Sequence, residues 1–186
     1  MIVELVRISQ GDKASLRQWR NEPEVTRWGY SNHVISEEEH SAWFDNMLVD
    51  ASKVYWKIVV DGIAVGATFL TGISDQGSTC EWGMYLADSA VRGKGVSQAA
   101  CALLFRYALN DLGLKMVRCD VFAQNEASIR MCESVGHMRS GVQASAVKRG
   151  DEMLSVVTLE LTRDSWNLRE PQILQKLQEK GVNING

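Results

Sequence analysis

Three consecutive extended runs in the middle of the chain constrain its fold more than any other feature. At Val54 the hydrophobic pattern changes from a helical to an extended period, and the runs "VYWKIVV", "IAVGATFLTGI" and "TCEWGMYL" follow. The dipeptide Asp61-Gly62 between the first two runs is typical of a β-hairpin turn. The runs therefore predict neighbouring antiparallel strands at the centre of a sheet.

Helical and further extended segments flank these strands. A strand "VELVRI" and two helices precede them, and a helix, the short strand "KMVRCDVF", another helix and a closing hairpin follow. This order predicts an α/β (α+β) fold, with a mixed, mainly antiparallel sheet of about seven strands and helices on both faces. We expect the domain to span residues 1–163 and the polar tail, residues 164–186, to form a short helix.

Composition and charge exclude several classes of protein. The chain has 186 residues, of which 45% are hydrophobic and 23% charged, the balance of a globular protein. A net charge of −3 without a basic run argues against a nucleic-acid partner. No apolar run reaches the roughly 20 residues that a membrane span needs, and no secretory signal begins the sequence, so we expect a cytoplasmic protein without a membrane partner. The four cysteines have no zinc-ligand spacing, and we expect no metal.

The segment "RGKGVS", from Arg92 to Ser97, is the sharpest local signal. An extended run ends before it and a helix begins at once after it, so consecutive backbone N–H groups and the helix dipole could hold phosphate oxygens. Its spacing matches neither the Walker loop nor the dinucleotide fingerprint. On this feature alone an ordinary solvated turn remains the alternative.

This turn resembles a motif of the GCN5-related N-acetyltransferase (GNAT) family, R/Q-x-x-G-x-G/A, with Ser97 as the one departure. A second family motif, N-x-x-A/S-I-x-x-Y-x-x-x-G-F, falls on Asn125, Ser128, Ile129, Cys132, Gly136 and His137. The resemblance covers about Val3 to Thr162. It implies an acetyl-CoA-dependent N-acetyltransferase in which a primary amine attacks the thioester directly.

The resemblance also implies where the co-substrate binds. Strands four and five would splay apart, and the pantetheine arm would insert between them. Leu86 would contact this arm from strand four, and Asn125 and Ser128 would contact it from the other side. The pyrophosphate would be held by the turn residues Arg92, Gly93, Lys94, Gly95, Val96 and Ser97.

Two residues are candidates for catalysis. Cys132 stands where the family commonly has a tyrosine that protonates the departing thiolate. Either the Cys132 thiol is the acid, or solvent or another side chain protonates the thiolate, or Cys132 only packs. Glu81 lies in the fourth strand, where several family members place a general-base glutamate beside the acyl channel; the alternative is an exposed edge carboxylate.

The region before Val54 normally binds the acceptor in this family. Its aromatic side chains could stack on a base or sugar ring and its arginines could pair with phosphates, although the tryptophans could equally fill the core. The candidate acceptor-binding residues are Arg20, Asn21, Trp28 and His40. We interpret His137 as a packing residue with a solvated polar edge.

The segment "RNEPEVTRW" resembles the branch that acetylates a nucleotide-linked amino sugar in the pseudaminic acid pathway. The same R-N-x-P signature occurs in the branch that acetylates ribosomal-protein N-termini. We therefore expect a small-molecule amine as partner, with a nucleotide-linked amino sugar as the first hypothesis. The alternatives are a ribosomal-protein or peptide N-terminal acetyltransferase and a weakly catalytic CoA-binding module. The tail and the closing hairpin are compatible with a homodimer.

Overall fold

The computed structural model of the protein describes residues 1–73 and 78–185. The strands are β1 (Ile2–Arg7), β2 (Val54–Val60), β3 (Ile63–Thr71), β4 (Thr79–Leu86), β5 (Met116–Phe122), β6 (Met138–Arg149), β7 (Glu152–Thr162) and β8 (Asn183–Asn185). The helices are α1 (Lys13–Asn21), α2 (Pro23–Thr26), α3 (Glu37–Val49), α4 (Val96–Phe105), α5 (Glu126–Ser134) and α6 (Arg163–Glu179). Across these described residues, no helix is long and apolar enough to cross a membrane.

All eight strands form one sheet in the order β6-β7-β5-β4-β3-β2-β1-β8. Neighbouring strands are antiparallel except for two parallel pairs, β4 with β5 and β1 with β8. The predicted mixed, mainly antiparallel fold is confirmed. The strand count differs because the tail adds β8, whose short polar sequence becomes extended through backbone pairing with β1 rather than through local propensity.

Helices cover both faces of the sheet, as predicted. On one face α4, α5 and α6 bury the larger core, in which Phe105 and Trp166 are fully enclosed. On the other face α1 and α3 pack around Leu16 and Phe44 against the sheet residue Ala67. The alternation of side chains along each strand divides the apolar residues between these two layers.

The tail belongs to the same core as the rest of the chain. Helix α6 begins at Arg163, directly after β7, and it buries Trp166, Ile173 and Leu177. Val182, before β8, is buried as well. The boundary expected after residue 163 therefore has no structural counterpart, because the apolar side chains of the tail complete a core that the preceding residues leave open.

Candidate active site

Strands β4 and β5 run side by side only at their beginning. Their parallel pairing ends at Glu81 and Arg118. Beyond that point β4 remains paired with β3 as far as Leu86, and β5 remains paired with β7 as far as Phe122. The two strands therefore splay apart, and the sheet opens into a cleft with a backbone edge on each side. An extended ligand can add to such edges as a strand would.

A cavity of about 670 Å³ occupies this cleft, and we call it the donor cavity. Its walls are residues 82–86 of β4, residues 119–122 of β5 and one side of α5. Among the predicted co-substrate residues, those that line it are Leu86, Arg92, Gly93, Ser97, Asn125 and Ser128. Lys94, Gly95 and Val96 complete the turn but are not among the residues that line the cavity.

Two glycines shape the turn before α4. Gly93 and Gly95 have φ angles of 74° and 90°, in the left-handed region that favours glycine. Gly95 is also crowded by the tail, because a Cβ at this position would lie 3.3 Å from Leu177 and 3.4 Å from Val182. The guanidinium of Arg92 closes the turn by donating to the Leu86 carbonyl at 3.1 Å. The tail thus supports the turn from behind.

The α5 wall of the donor cavity carries Asn125 and Cys132. The Asn125 side chain caps α5 by accepting a hydrogen bond from the Ser128 amide at 3.2 Å. Cys132 is only 2% exposed, and its Sγ lies 3.8 Å from Cys119 Sγ on β5. The hydrogen bond with Cys132, together with burial, raises the pKa of Cys119 far above its usual range. Cys119 is therefore a protonated thiol at neutral pH.

A second cavity, of about 430 Å³, opens on the α1–α3 face of the sheet, and we call it the acceptor cavity. Its lining includes several aromatic residues, among them Trp43, Tyr55 and Phe69. The two cavities meet above the splayed strands, where they share the lining residues Val25, Trp28, Tyr30, Trp82, Gly83, Met84, Tyr85, Cys119 and Asp120. A molecule in one cavity can therefore contact a molecule in the other.

Glu81 lies at the acceptor cavity but not in the apolar channel that the sequence led us to expect. Its side chain is 57% exposed, and it accepts a hydrogen bond from Arg118 at 2.7 Å. Asp120, which sequence analysis overlooked, lines both cavities and accepts a hydrogen bond from Thr158 at 2.7 Å. Side chains alternate along a strand, so Asp120 lies on the same face of β5 as Arg118. This alternation is the sequence signal by which Asp120 could have been found.

The four predicted acceptor-binding residues divide into two pairs. Arg20 lines the acceptor cavity, with its guanidinium 4.7 Å from the Trp43 ring centre, and Trp28 lines both cavities. Asn21 and His40 line neither cavity. Asn21 makes two hydrogen bonds with the backbone of Ile35, at 2.8 and 3.1 Å.

His40 is enclosed between α1 and α3 rather than open to a ligand. It is 2% exposed, and its Nε2 donates to the Lys13 carbonyl at 2.8 Å. Burial lowers the pKa of His40, so the neutral ring is favoured in the packed helices. His40 and Asn21 therefore support the acceptor region, because each lies outside both cavities and is hydrogen-bonded to the backbone of another segment.

His137 is also buried, which corrects the expectation of a solvated edge. Its Nε2 accepts a hydrogen bond from Trp82 Nε1 at 2.9 Å, and burial lowers the pKa of His137 to about 4. The ring is neutral at physiological pH, as an acceptor for an indole N–H must be. The hydrogen bond joins two buried side chains that pack against Phe105, beneath the part of β4 that lines both cavities.

The β6–β7 hairpin reaches over to the loop before α3. At its tip the Arg149 guanidinium donates to the carbonyls of Arg27 and Thr26, at 2.7 and 3.2 Å. From the sequence we predicted only a closing hairpin here. The contact anchors the loop that carries Trp28 and Tyr30 into the junction.

Comparison with known proteins agrees with this geometry. Residues 3–138 match the family model described as an acetyltransferase (GNAT) domain. The chain belongs to the GNAT family. This confirms the family predicted from the two motifs, and it makes the protein an N-acetyltransferase of the class that uses acetyl-CoA.

The individual relatives of this GNAT chain share a quarter or less of its residues over the matched regions. Acetyltransferase PseH of Campylobacter jejuni is 25% identical over 114 residues, covering 61% of this chain and 69% of PseH. The spermidine N-acetyltransferase of Vibrio cholerae, solved with CoA and spermine, has a TM-score of 0.81 at 14% identity over 89% of this chain and 98% of its own. An acetyltransferase from T. thermophilus has a TM-score of 0.78 at 22% identity, covering 93% of this chain and 92% of its own. At such identities the solved structures show a shared GNAT fold.

Proposed function

We propose that this GNAT enzyme transfers the acetyl group of acetyl-CoA to the primary amine of a nucleotide-linked amino sugar. The observation that carries the proposal is the meeting of the donor and acceptor cavities above the splayed ends of β4 and β5. A thioester in the first cavity would present its carbonyl carbon to an amine in the second. Holding the two reactants together in this way favours direct attack.

The donor cavity offers the contacts that acetyl-CoA needs. In our proposal the pantetheine arm lies between the strands, next to the backbone of Leu86 and the Asn125–Ser128 end of α5. The turn from Arg92 to Ser97 receives the pyrophosphate on its backbone N–H groups and the start of α4. Exposed β4 amides beside the thioester would stabilise the oxyanion as the amine attacks.

Two proton transfers accompany the reaction. We propose Glu81 as the group that removes the ammonium proton, because its carboxylate lines the cavity through which the amine arrives. Cys132 lines the donor cavity at the motif position where the family commonly has the tyrosine that protonates the CoA thiolate. The amine nitrogen then bonds to the acetyl carbon while the carbon–sulfur bond breaks.

The lining of the acceptor cavity supports a nucleotide-linked sugar over a polyamine. Its aromatic side chains can stack on a base or a sugar ring, and Arg20 can pair with a phosphate. A polycation would instead need several free carboxylates, whereas Glu81 is paired with Arg118, Asp120 is bonded to Thr158, and Arg20 adds positive charge. The similarity to acetyltransferase PseH supports the same choice.

A thiol-release assay with acetyl-CoA and a panel of amines tests this proposal. The panel contains UDP-linked amino sugars, the matching free amino sugars, ribosomal N-terminal peptides, spermidine and an aminoglycoside. We expect the highest kcat/KM for a UDP-linked amino sugar. Arg20→Ala should raise its KM about tenfold, the loss of one charged contact, and should leave the free amino sugar nearly unaffected.

Other results would redirect the assignment. Fastest turnover of a peptide would make the enzyme an N-terminal acetyltransferase. If no amine is acetylated while acetyl-CoA still raises the Tm, the protein is a CoA-binding module and the proposal fails.

A further inference from the structure

Acetyl transfer leaves an electron pair on the CoA sulfur, which has to gain a proton. Cys132 occupies the position in α5 where the family motif has a tyrosine, but its side chain is poorly placed to protonate the sulfur. Its side chain is short and 2% exposed, and its Sγ lies 3.8 Å from Cys119 Sγ. The thiol is thus part of the packing between α5 and β5, which leaves the proton to come from another side chain or from solvent.

Two tyrosines line both cavities, Tyr30 and Tyr85. Tyr85 packs against the α1–α3 layer, on the acceptor side of β4. Tyr30 is 57% exposed, and its ring meets Phe122 of β5 edge-on, with the ring centres 5.4 Å apart. Its ring therefore lies over the end of β5, beside the junction of the two cavities. Of the two tyrosines, Tyr30 is the exposed one at the junction of the cavities, whereas Tyr85 is packed into the α1–α3 layer.

We propose that the Tyr30 hydroxyl donates the proton to the departing CoA thiolate, in place of a side chain on α5. This inference rests on the proposed acetyl transfer. The N–C bond forms and the C–S bond breaks, and the ammonium proton passes to the base. The phenolic proton of Tyr30 passes to sulfur, and the phenolate is reprotonated by water, so protons and charge balance.

The surroundings of Tyr30 suit a proton donor. Burial, and then the negative charges of Asp120 and Glu81, raise the pKa of Tyr30, so its hydroxyl stays protonated at neutral pH. The loop that carries Tyr30 is held at both ends. Arg149 binds the carbonyl of Arg27 before it, and Asn21 binds the backbone of Ile35 after it. A donor fixed in this way loses little entropy when the substrate arrives.

The first test needs no acceptor. The pKa of the thiol of bound CoA is measured from its ultraviolet thiolate absorbance, with desulfo-CoA as the blank that subtracts the protein's own cysteines. In Tyr30→Phe we expect this pKa to rise by about one unit, because one hydrogen bond to the thiolate is lost. The matched control is Tyr107→Phe, which removes a hydroxyl bonded to Arg7 outside both cavities. An unchanged CoA thiol pKa in Tyr30→Phe would overturn the proposal.

The second test is kinetic, and it includes a rescue. Tyr30→Phe should lower kcat about tenfold or more while the KM for acetyl-CoA stays within about twofold. Adding Cys132→Tyr to Tyr30→Phe should restore most of the rate, because it supplies a hydroxyl from the opposite wall of the same cavity. A higher acceptor KM with unchanged kcat would make Tyr30 a substrate contact and sink the proposal. If the wild type acetylates no amine, the proposed function fails, while the CoA titration still decides the role of Tyr30.

Discussion

Glu81 and Arg118 are the last residues at which β4 and β5 pair, and a hydrogen bond of 2.7 Å joins their side chains on the acceptor face. Both side chains are about half exposed, so this ion pair contributes little to stability, about 1 kcal/mol or less. Its importance is positional. It lies where the sheet divides, and the cleft begins one residue beyond it.

Two carboxylates near this point can be compared directly. We expect Glu81→Gln to lower kcat about tenfold or more, because the amine would lose its proton acceptor. Asp120→Asn removes the other carboxylate and should have a smaller effect, because Glu81 is the proposed base; one oxygen of each carboxylate is already hydrogen-bonded. Steady-state kinetics of the two variants measure this difference. A larger defect in Asp120→Asn would transfer the role of base to Asp120.

Gly66 on β3 has no room for a side chain. A Cβ at Gly66 would lie 2.2 Å from the Tyr85 carbonyl oxygen and 2.9 Å from Leu86 Cα, so the backbone of β4 would have to move. We expect Gly66→Ala to lower the free energy of unfolding by about 1–3 kcal/mol and to weaken acetyl-CoA binding. Gly141→Ala on the exposed strand β6 is the control, because nothing lies within 4 Å of its Cβ position. Equal urea midpoints for the two variants would contradict this account.

His137 should make the protein less stable in mild acid. Its pKa is about 4 in the folded protein and about 6.5 in the unfolded chain, so the unfolded state binds the proton first as the pH falls. The stability contributed by the neutral ring is present above about pH 6.5 and is lost towards pH 4. The full effect is about 3 kcal/mol.

Urea unfolding at a series of pH values measures this loss. His137→Gln keeps an acceptor for Trp82 Nε1 and removes the titration, so its stability should vary less over the same interval. An identical slope in the variant and the wild type would show that other groups dominate.

Arg149 should affect the acceptor more than the donor. Arg149→Ala removes two hydrogen bonds that hold the loop before α3, so the loop would be less well ordered when the amine binds. We expect the acceptor KM to rise about fivefold to tenfold and the acetyl-CoA KM to stay nearly constant. Lys148→Ala, at the adjacent exposed position, is the control. Parallel increases in both KM values would indicate a general loss of structure.

The donor half of the site was largely predictable from the sequence, because its signals are local. The extended runs, the turn at Arg92 to Ser97 and the capping residue Asn125 are each specified by a few neighbouring residues. The family motifs then placed them on opposite sides of one cleft. Even here the sequence did not show that Lys94 and Val96 would lie outside the lining of the cavity.

The acceptor half was less predictable, because its residues are positioned by distant partners. Asn21 and His40 looked like ligand contacts, yet each is hydrogen-bonded to a backbone group of another segment. Trp82 and His137 are far apart in the sequence and bond to each other in the core. The hydrogen bond from Arg149 to the loop before α3 likewise depends on where the tip of the long β6–β7 hairpin lies relative to that loop. Periodicity carries no information about such pairings.

The close packing of Leu177 and Val182 behind Gly95 also has a consequence for how the enzyme folds during synthesis. The glycine turn leaves the ribosome long before Leu177 and Val182, which support it. Strand β1 is likewise synthesised long before its parallel partner β8. A nascent chain exposed only through β7 would contain both family motifs while their support was still missing. Competence to bind acetyl-CoA should therefore arise late, in one step with closure of the sheet edge, rather than grow as each motif emerges.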